Sequence, residues 1–392
     1  MKLDNLQFKW LITPFLLGIL STQANALTND PGIVHHPIRY KPNVPHFMPT
    51  GLTPSQVRTA YGFDSINSQG KGQVIAIVDA FDHPKIESDL AVFSRYFKLP
   101  ACTINNGCFQ KIYESGKKPR TDAGWAGEIA LDVEWAHAMA PEAKIILVEA
   151  KNDNMQSLID AVQVAIINGA TVVSMSWGVS EYAKQTTFDP LFQNSKVTFV
   201  ASSGDNGHEI LYPAASPYVL GVGGTTLYVD SLGNYQGETT WSRSSGGLSA
   251  VETWPASQKG LPIPKSKHMR GVPDVAYNAD PDTGFSVYNS IPYEDNIGWA
   301  VVGGTSAGSP QWAAIIAIAN SEYSKVLGAN ATKLLYAAAN PAHGKYHYNF
   351  NDIISGTNGQ CGYYCTAQDG YDYVTGLGSP ELGNLIKDLP NY

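Results

Sequence analysis

The sequence predicts an α/β protein in which helices flank a mostly parallel central sheet within one large domain. The first observation is alternation, because short apolar stretches such as QVIAIVD from Gln73 and KIILVEA from Lys144 are separated by longer stretches with helical periodicity. The second is continuity, because no internal repeat or low-complexity linker divides the 392 residues. Strands that alternate with helices are typical of βαβ units, which build parallel sheets.

The alternation continues element by element along the chain. Strands are predicted over 73–79, 144–150, 171–176 and 197–203. Helices are predicted over 84–97, 127–140, 155–169 and 311–323. The region from about 224 to 300 is rich in Gly and Pro, and it predicts long loops and hairpin-like pieces over the same sheet. Sheets of this kind gather functional groups in loops beyond the carboxyl ends of their strands.

Composition and charge exclude two classes of partner. Lys and Arg total 26 against 34 for Asp and Glu, a net charge of −8, whereas a nucleic-acid-binding protein carries a basic stripe. After the N-terminus, no stretch reaches the roughly 18 apolar residues that a membrane span needs. We therefore expect a protein that binds neither nucleic acid nor, once its targeting segment is removed, a membrane. We also expect a monomer.

Residues 1–26 have the pattern of a signal peptide. Lys2 and Lys9 precede the apolar run WLITPFLLGIL, and the triplet ANA at 24–26 matches a small-x-small cleavage site. The alternative is an uncleaved anchor helix, for which the apolar run is short. We predict a secreted protein, periplasmic or extracellular, with an extended arm rich in Pro and His over 27–50 and the domain itself over 51–392.

The four cysteines form two local pairs, Cys102 with Cys108 and Cys361 with Cys365. Four cysteines permit three connectivities, and the close spacing favours two disulfides that each close a small loop. Neither pair has the CxxC spacing of metal or redox sites, so those chemistries are set aside.

Ser306 is predicted to lie in a turn that opens a helix. The stretch GGTSAGSP from Gly303 to Pro310 leads into an apolar helix, so the hydroxyl is expected near the positive end of the helix dipole, where a developing anion is stabilised. Serine is also a routine helix N-cap, and the turn alone favours that structural role. The full GTSxxxP pattern, late in an α/β chain, is typical of the nucleophile of subtilisin-like serine peptidases.

A serine nucleophile needs a base, and subtilisin-like peptidases use a histidine that lies between an Asp and the Ser in chain order. Asp79, at the end of the first predicted strand, fits that Asp, but no HGT-like motif precedes APEAKI at 140–145. His137 lies too late on its helix to match and is predicted to be structural. The stretch GEIALD, from Gly127 to Asp132, stands where the histidine motif is expected.

This replacement is the signature of the sedolisin family, the serine-carboxyl peptidases, which the chain resembles from about residue 50 to its end. The matching pieces are GEIALDVEWAHAMAPEAKI, SMSWG, ASSGDNG, RGVPDVAYNADPDTG, GGTSAGSP and NDI…GYDYVTGLGSP. The resemblance implies a subtilisin-like fold and an endopeptidase that acts on proteins or peptides in acid. It implies Glu128 as general base, Asp132 as its orienting partner and Ser306 as nucleophile.

Electrostatics supports this reading of Glu128 and Asp132. Residues four apart share a helix face, where two carboxylates repel by roughly a few tenths of a kcal/mol even in water. Flanking tryptophan and aliphatic residues are expected to desolvate the pair. Burial and repulsion both raise a carboxyl pKa, so the pair is predicted to share one proton in mild acid. A solvated pair without function is the alternative that these two residues alone leave open.

Asp205 lies in the loop ASSGDNG, just after the predicted strand 197–203. Subtilisin-like peptidases place an oxyanion-donating Asn in the equivalent loop, and the resemblance implies Asp205 in that role. Only a protonated carboxyl can donate to an oxyanion, so this assignment also requires acid. An Asp that merely forms an Asx-turn is the structural alternative.

The stretch SMSWG has two interpretations. It is close to the GxSxG nucleophile elbow of α/β-hydrolases, but its first position is Ser and no capped helix clearly follows. The resemblance instead implies that Ser176, Trp177 and Gly178 border the cleft and pair through their backbone with extended substrate. We prefer the second interpretation and keep an esterase as the minor one.

A Gly-rich loop near the C-terminus contains Asp352 and Asp372, which suit a calcium site together with nearby carbonyls. Turn chemistry is the better interpretation of these residues alone. The family binds calcium, and the resemblance implies one structural Ca²⁺ held by the two carboxylates and by the carbonyls of Ile353, Gly370 and Gln368. Gln368 stands where the family usually has Gly, which puts the backbone angle of that ligand in question.

Sedolisins usually carry a long folded pro-region, and the stretch between Ala26 and Gly51 is too short for one. Three hypotheses follow. The first is an acid-acting secreted endopeptidase that uses Ser306, Glu128, Asp132 and Asp205. The second is a catalytically silent, calcium-stabilised binding protein on a peptidase fold. The third is a histidine-dependent hydrolase, either a subtilase or an esterase, active near neutral pH.

Overall fold

The computed structural model describes residues 27–29, 31–293 and 296–391. The predicted signal peptide, residues 1–26, lies outside the described residues. The helices are α1 (Pro54–Tyr61), α2 (Ile86–Phe97), α3 (Ala123–Met139), α4 (Met155–Ile167), α5 (Asp189–Phe192), α6 (Ala256–Lys259), α7 (Gly308–Glu322), α8 (Ala331–Ala338), α9 (Tyr346–Asn349) and α10 (Leu382–Asp388).

The strands outnumber the helices and fall into several sheets. They are β1 (Arg39–Tyr40), β2 (Val74–Ala80), β3 (Phe109–Tyr113), β4 (Lys144–Ala150), β5 (Val172–Met175), β6 (Val179–Ser180), β7 (Thr198–Ser202), β8 (Leu211–Tyr212), β9 (Val219–Val229), β10 (Tyr235–Thr240), β11 (Gly247–Thr253), β12 (Met269–Val272), β13 (Val275–Asn278), β14 (Phe285–Tyr293), β15 (Asn296–Gly303), β16 (Phe350–Asn351) and β17 (Ser379–Pro380).

The central sheet has eight strands in the order β10-β9-β7-β5-β2-β4-β3, with β13 also paired to β9. All of these pairings are parallel except that of β10 with β9. The mostly parallel sheet expected from the alternation of strands and helices is therefore confirmed. The carboxyl ends of β2, β5 and β7 lie side by side at one edge, because these neighbouring strands run in the same direction.

Two cores lie on the two faces of this sheet, because successive side chains of a strand point to opposite faces. Ile75 and Ile77 of β2 pack with α3 and α7, whereas Ala76 and Val78 pack with α4. Helix α3 is buried at every position from Gly124 to Met139. A helix that is apolar on nearly all sides belongs in the interior of a large domain, where it holds its few polar side chains away from water.

The prediction of long loops over 224–300 is wrong in detail. This region contributes β10, β11, β12, β13, β14, β15 and most of β9. Strands β14 and β15 form an antiparallel hairpin, and β1 of the N-terminal arm pairs with the free side of β15. Glycine within these strands gave the sequence the appearance of loops, although it permits close strand and helix packing here.

Both predicted local disulfides, Cys102–Cys108 and Cys361–Cys365, are present. His137 of α3 is structural as predicted, since its Nε2 lies 2.8 Å from the carbonyl oxygen of Pro100. Among the described residues, none of the helices combines the length and apolar character needed to cross a bilayer.

Candidate active site

Ser306 lies between β15 and α7, in a single 3₁₀ turn over Thr305–Ala307. Gly304, which precedes the turn, has a φ of 105°, a backbone conformation that favours glycine. Ser306 is fully buried, and its Oγ has no hydrogen-bond partner among the described residues. The Ser306 hydroxyl thus lies near the N-terminus of α7 without making a capping hydrogen bond, which argues against the N-cap alternative.

Helix α3 carries Glu128 and Asp132 one turn apart, and both side chains are completely buried. Asp79 joins them from the end of β2, also completely buried. None of the six carboxylate oxygens has a hydrogen-bond partner within the described residues. Three carboxyl groups therefore share one desolvated space between α3 and the carboxyl end of the sheet.

Burial and mutual repulsion determine the protonation of this cluster. Burial raises the pKa of Asp79 well above its usual value, and the charge of Glu128 raises it further. Burial also raises the pKa of Asp132 strongly, with further contributions from the charges of Asp79 and Glu128. Three carboxyl groups buried together cannot all ionise, and the raised pKa values of Asp79 and Asp132 keep these two groups protonated in mild acid.

Asp205 follows β7 and faces the serine turn. Its Oδ1 accepts hydrogen bonds from the backbone nitrogen of Thr305 at 2.9 Å and from the Thr305 hydroxyl at 3.0 Å. Its Oδ2 accepts no hydrogen bond from the described residues, although the Nε of Arg39 lies 3.4 Å away. Burial raises the pKa of Asp205 to about 7, even though Thr305 and Arg39 lower it. The group is therefore a proton donor in mild acid.

The residues Ser176, Trp177 and Gly178 follow β5 beside the serine turn. Ser176 Oγ donates to the carbonyl oxygen of Ser306 at 3.3 Å. The Trp177 ring is buried, and its Nε1 donates to the carbonyl oxygen of Val78 at 2.7 Å. Gly178 exchanges two backbone hydrogen bonds with His35, each of 3.0 Å. The backbone edge at residues 176–178 thus pairs with an extended segment of the chain's own N-terminal arm.

Sequence reasoning missed two residues of the N-terminal arm. His36 Nδ1 lies 3.3 Å from Oε2 of Glu128, and its ring packs edge-on against Trp125 at a centroid distance of 4.8 Å. Arg39 approaches Asp205, as described above. The arm has no periodicity that could have revealed this placement. The only available signal was the cluster of basic side chains in a protein whose predicted site consists of carboxylates.

The predicted calcium ligands lie together near the C-terminus. Asp352 accepts hydrogen bonds from the backbone nitrogen of Gly370 at 2.9 Å and from the Tyr346 hydroxyl at 3.1 Å. Asp372 accepts backbone hydrogen bonds from residues 368, 374 and 375. Burial raises the pKa of Asp372 to about 7 and also raises that of Asp352. Two desolvated carboxyl groups on one loop suit a cation that would replace their protons.

The carbonyls of this loop fit the same role. The carbonyl oxygens of Ile353, Gln368 and Gly370 accept no hydrogen bond from the described residues. Gly370 has a φ of 78°, whereas Gln368 is not among the residues in the left-handed region, so the Gln in place of Gly imposes no backbone strain. Carboxylates and unpaired carbonyls are the oxygen ligands that Ca²⁺ takes. The two carboxylates and three carbonyl oxygens of this loop therefore fit a Ca²⁺ ion.

Comparisons with known proteins show similarity to peptidases. The model of the subtilase family of peptidases matches residues 122–363. Kumamolisin of Bacillus sp. (strain MN-32) is 34% identical over 379 residues, which cover 87% of this chain and 64% of kumamolisin. Sedolisin of Pseudomonas sp. (strain 101) is 33% identical over 212 residues, which cover 48% of this chain and 34% of that protein. The chain thus spans less than two thirds of either relative.

Among solved structures, the chain is similar to Pseudomonas sedolisin, described as a serine-carboxyl proteinase complexed with two molecules of pseudo-iodotyrostatin. The TM-score is 0.74 at 26% sequence identity, and the match covers 88% of this chain and 99% of that one. The similarity therefore extends over most of this chain.

Proposed function

Because the chain belongs to the subtilase family and, within it, to the sedolisins, we propose that it is a secreted serine-carboxyl endopeptidase that cleaves peptide bonds of proteins and peptides in acid. The observation that carries the proposal is the convergence of a buried serine hydroxyl without a hydrogen bond, a buried carboxyl cluster and a protonatable Asp205. Each component alone has a structural explanation, but together they supply every group that acyl transfer needs.

In this proposal Ser306 attacks the carbonyl carbon of the scissile bond while Glu128 accepts the hydroxyl proton. Glu128 then delivers that proton to the leaving amine, and water releases the acyl group by the same two steps in reverse order. Asp132 orients Glu128, and its proton lets it stabilise the Glu128 carboxylate. Asp79 extends this support from β2, which gives the strand-end Asp a positioning role rather than the role of orienting a histidine.

Asp205 supplies the oxyanion donor. The tetrahedral intermediate places negative charge near the serine turn, where a protonated carboxyl donates a hydrogen bond and an ionised one repels the charge. With a pKa of about 7, Asp205 is protonated below neutral pH and loses its proton as the pH rises through that value. The alkaline limit of activity follows from this loss.

We also propose that one Ca²⁺ binds Asp352, Asp372 and the carbonyls of Ile353, Gln368 and Gly370. When bound, the ion would supply structural stabilisation of the C-terminal loop and no chemistry at the serine. Secretion remains a proposal that the two disulfides favour, since such bonds persist in oxidising compartments. A monomer that binds neither nucleic acid nor a membrane stays our expectation for the mature protein.

A pH–rate profile on an unfolded protein such as casein tests the proposed activity. The purified chain should digest casein with a maximum between about pH 3 and 6, where Asp205 is protonated. Ser306→Ala should lose the activity. Ser321→Ala, a serine at the exposed end of the same helix α7, is the matched control and should keep it.

Each hypothesis predicts a different result. No digestion between about pH 3 and 8 would contradict the proposal and favour the catalytically silent binding protein. An optimum near neutral pH that depends on a histidine would favour a histidine-dependent hydrolase. Unchanged activity in Ser306→Ala would exclude Ser306 as the nucleophile.

A further inference from the structure

The second disulfide closes a hairpin of residues 356–367, called here the disulfide hairpin. Its two arms pair antiparallel, and the bond between Cys361 and Cys365 lies at its tip. The backbone nitrogen of Asn358, on the first arm, donates to the carbonyl oxygen of Cys365 at 3.0 Å. The backbone of Asn358 is therefore tied directly to a residue of the disulfide.

The base of the disulfide hairpin is held by the side chain of Gln368, which stands where the family usually has Gly. Its Nε2 donates to the carbonyl oxygen of Tyr363 at 3.2 Å and lies 3.3 Å from that of Thr366. A glycine has no side chain to make these contacts. The departure from the family pattern at this position therefore strengthens the hairpin.

The disulfide hairpin packs on the loop that carries Asp205, residues 203–208. A Cβ at Gly207 would lie 2.5 Å from the carbonyl oxygen of Asn358, so backbone rests on backbone at this point. Gly207 also has a φ of 73°, a conformation that favours glycine. The hairpin thus contacts the chain two residues after the proposed oxyanion donor.

The side chain of Asn358 reaches the segment that runs beside this loop, residues 243–245. Asn358 is buried, and its Nδ2 donates to the carbonyl oxygen of Ser244 at 2.9 Å. A Cβ at Gly359 would lie 3.0 Å from Cys365 Sγ, so the disulfide packs against the residue that follows Asn358. The disulfide therefore supports the Asn358 side chain in its contact with Ser244.

Ser245 extends this contact to the backbone on both sides of Asp205. Its backbone nitrogen donates to the carbonyl oxygen of Gly204 at 2.8 Å, and its Oγ accepts from the backbone nitrogen of Asn206 at 3.0 Å. Thr305 orients the Asp205 carboxyl group, as described above. The disulfide hairpin supports the backbone from which that carboxyl group projects.

We propose that Asn358 is a positioning residue for Asp205 and that the Cys361–Cys365 disulfide holds it in that role. The inference rests on the proposed peptidase function and adds a support for its oxyanion donor. Such a donor acts only when it points to the place where charge develops, and a displacement of about 1 Å costs about 10²-fold in rate. Because Asn358 touches no reacting atom, its effect on catalysis passes through Asp205.

Replacement of Asn358 tests the inference against a matched asparagine. Asn349 is also buried, its Nδ2 donates to the carbonyl oxygen of Ala338 at 3.1 Å, and the Oδ1 atoms of both asparagines accept no hydrogen bond from the described residues. Initial rates over a series of casein concentrations, at the pH optimum of the wild-type enzyme, give kcat and KM. Asn358→Ala should lower kcat by about 10–10²-fold and keep KM within about twofold, whereas Asn349→Ala should keep both. Thermal unfolding verifies that each variant is folded at the assay temperature.

Removal of each disulfide gives a second matched comparison. The double variant of Cys361→Ser and Cys365→Ser should lower kcat in the same way as Asn358→Ala. The double variant of Cys102→Ser and Cys108→Ser opens a loop of similar size, which packs near Ala143 just after the other end of α3. It should keep kcat within about twofold, because that loop does not support the oxyanion donor.

The Asp205→Ala background distinguishes positioning from a general structural role. Once the donor is absent its position no longer matters, so Asn358→Ala should lower the residual kcat by less than about twofold. Residues that act independently would instead multiply their losses. This comparison uses the same casein assay for the wild-type enzyme, the two single variants and the double variant.

Hydrogen exchange reports the position of the loop without any use of activity. In the Ser306→Ala background, the backbone amide of Asn206 donates to Ser245 Oγ and should exchange faster when Asn358 is replaced by Ala. Asn349→Ala should leave that exchange rate unchanged. Mass spectrometry of peptides that cover residues 203–208 measures both.

The outcomes separate this inference from the proposed function. An unchanged kcat in Asn358→Ala, in a wild-type enzyme that digests casein, would overturn the inference and leave the peptidase function standing. An equal fold-loss with and without Asp205 would overturn it as well, because the hairpin would then act elsewhere. A wild-type chain that digests no casein would contradict the peptidase function and, with it, this inference.

Discussion

Single residues of this site are distinguished by which of them hold a proton. Asp79 and Asp132 are fully buried beside other carboxyl groups, whereas Asp205 has Thr305 and Arg39 as partners that favour its charge. The former pair therefore stays neutral over a wider pH range than Asp205. Asp205 is the group whose titration falls closest to the neutral limit of the expected activity.

Replacement of Asp205 should separate its donor function from its acidity. Asp205→Ala removes the donor and should lower kcat by about 10²–10³-fold below pH 7, where wild-type Asp205 is protonated. Asp205→Asn keeps a donor that needs no proton, so its residual activity should no longer fall as the pH rises through about 7. The measurement is kcat against pH for the three proteins. A variant Asp205→Asn with the wild-type alkaline limb would contradict the assignment.

His36 and Glu128 provide a matched pair of substitutions for identifying the base. Glu128→Gln removes the proposed proton acceptor and should lower kcat by about 10²–10⁴-fold. His36→Ala should keep casein digestion within about twofold, because no step of the proposed mechanism uses its ring. Both rates are measured at the pH optimum of the wild-type enzyme. A larger loss in His36→Ala than in Glu128→Gln would favour the histidine-dependent hydrolase.

Among the helices and strands, the sequence correctly predicted those in which burial in a regular layer gives the apolar residues a clear periodicity. Strands β2, β4, β5 and β7 and helices α2, α3, α4 and α7 lie within a few residues of their predicted bounds. Helix α3 carries Glu128 and Asp132, and Ser306 lies just before α7, so these positions in the candidate site were predictable from motif and pattern.

The elements that the sequence missed depend on backbone contacts. Strand β9 contains the run VLGVGGTT, whose glycines read as a loop. A Cβ at Gly224 would lie 2.7 Å from the Ala279 side chain and 3.0 Å from Trp241, so glycine is present for close packing. The extended segment of residues 33–41 was missed for a related reason, since its pairing uses main-chain groups that every residue has. No side-chain pattern marks such a strand.

The C-terminal loop is the element on which calcium should act. In the Ser306→Ala background, which prevents self-digestion, Ca²⁺ at about 100 times its Kd should stabilise the fold by about 2.7 kcal/mol, and a chelator should remove that gain. Thermal unfolding with and without chelator measures it. Asp352→Asn should abolish the chelator effect, whereas Asp282→Asn, an exposed carboxylate elsewhere, should retain it. A wild-type melting temperature indifferent to both additions would contradict the calcium proposal.

The whole molecule carries many buried carboxyl groups besides those of the active site. Burial raises the pKa of each of the following: Asp79, Asp132, Glu134, Glu149, Glu181, Asp189, Asp205, Glu238, Glu252, Asp352 and Asp372. Groups of this kind bind protons more tightly in the folded chain than in the unfolded one. Their contribution to stability is therefore present in acid and is lost as the pH rises through their folded pKa values.

Two histidines and two carboxylates, Asp82 and Asp230, have a lowered pKa and act in the opposite sense. Burial lowers the pKa of His83 to about 4 and also lowers that of His137, so their contribution is lost as the pH falls. Lys111 holds the pKa of Asp82 below its usual value, so the contribution of Asp82 to stability is likewise lost as the pH falls. The carboxyl groups with a raised pKa outnumber these groups with a lowered pKa. The free energy of unfolding should therefore be greatest in mild acid.

Thermal unfolding of the Ser306→Ala variant should show this preference. Each pKa unit is worth about 1.4 kcal/mol, so the melting temperature should be roughly 5–10 °C higher at pH 5 than at pH 8. Glu252, whose pKa is raised to about 7, offers a check, because Glu252→Gln mimics its protonated form and should flatten the pH dependence. Glu142→Gln, at an exposed position, should leave it unchanged. A higher melting temperature at pH 8 would contradict the argument.

Two backbone edges, at Gly178 and at the end of β15, hold the extended segment of residues 33–41. This pairing has a further consequence for the protein in concentrated solution. An unpaired strand edge is where β-containing proteins add foreign strands, swap segments or begin to aggregate. While His35 is paired with Gly178 and Arg39 with Gly303, both edges are covered by the chain's own backbone. With both edges covered in this way, the protein is shielded from strand addition by neighbouring copies of itself.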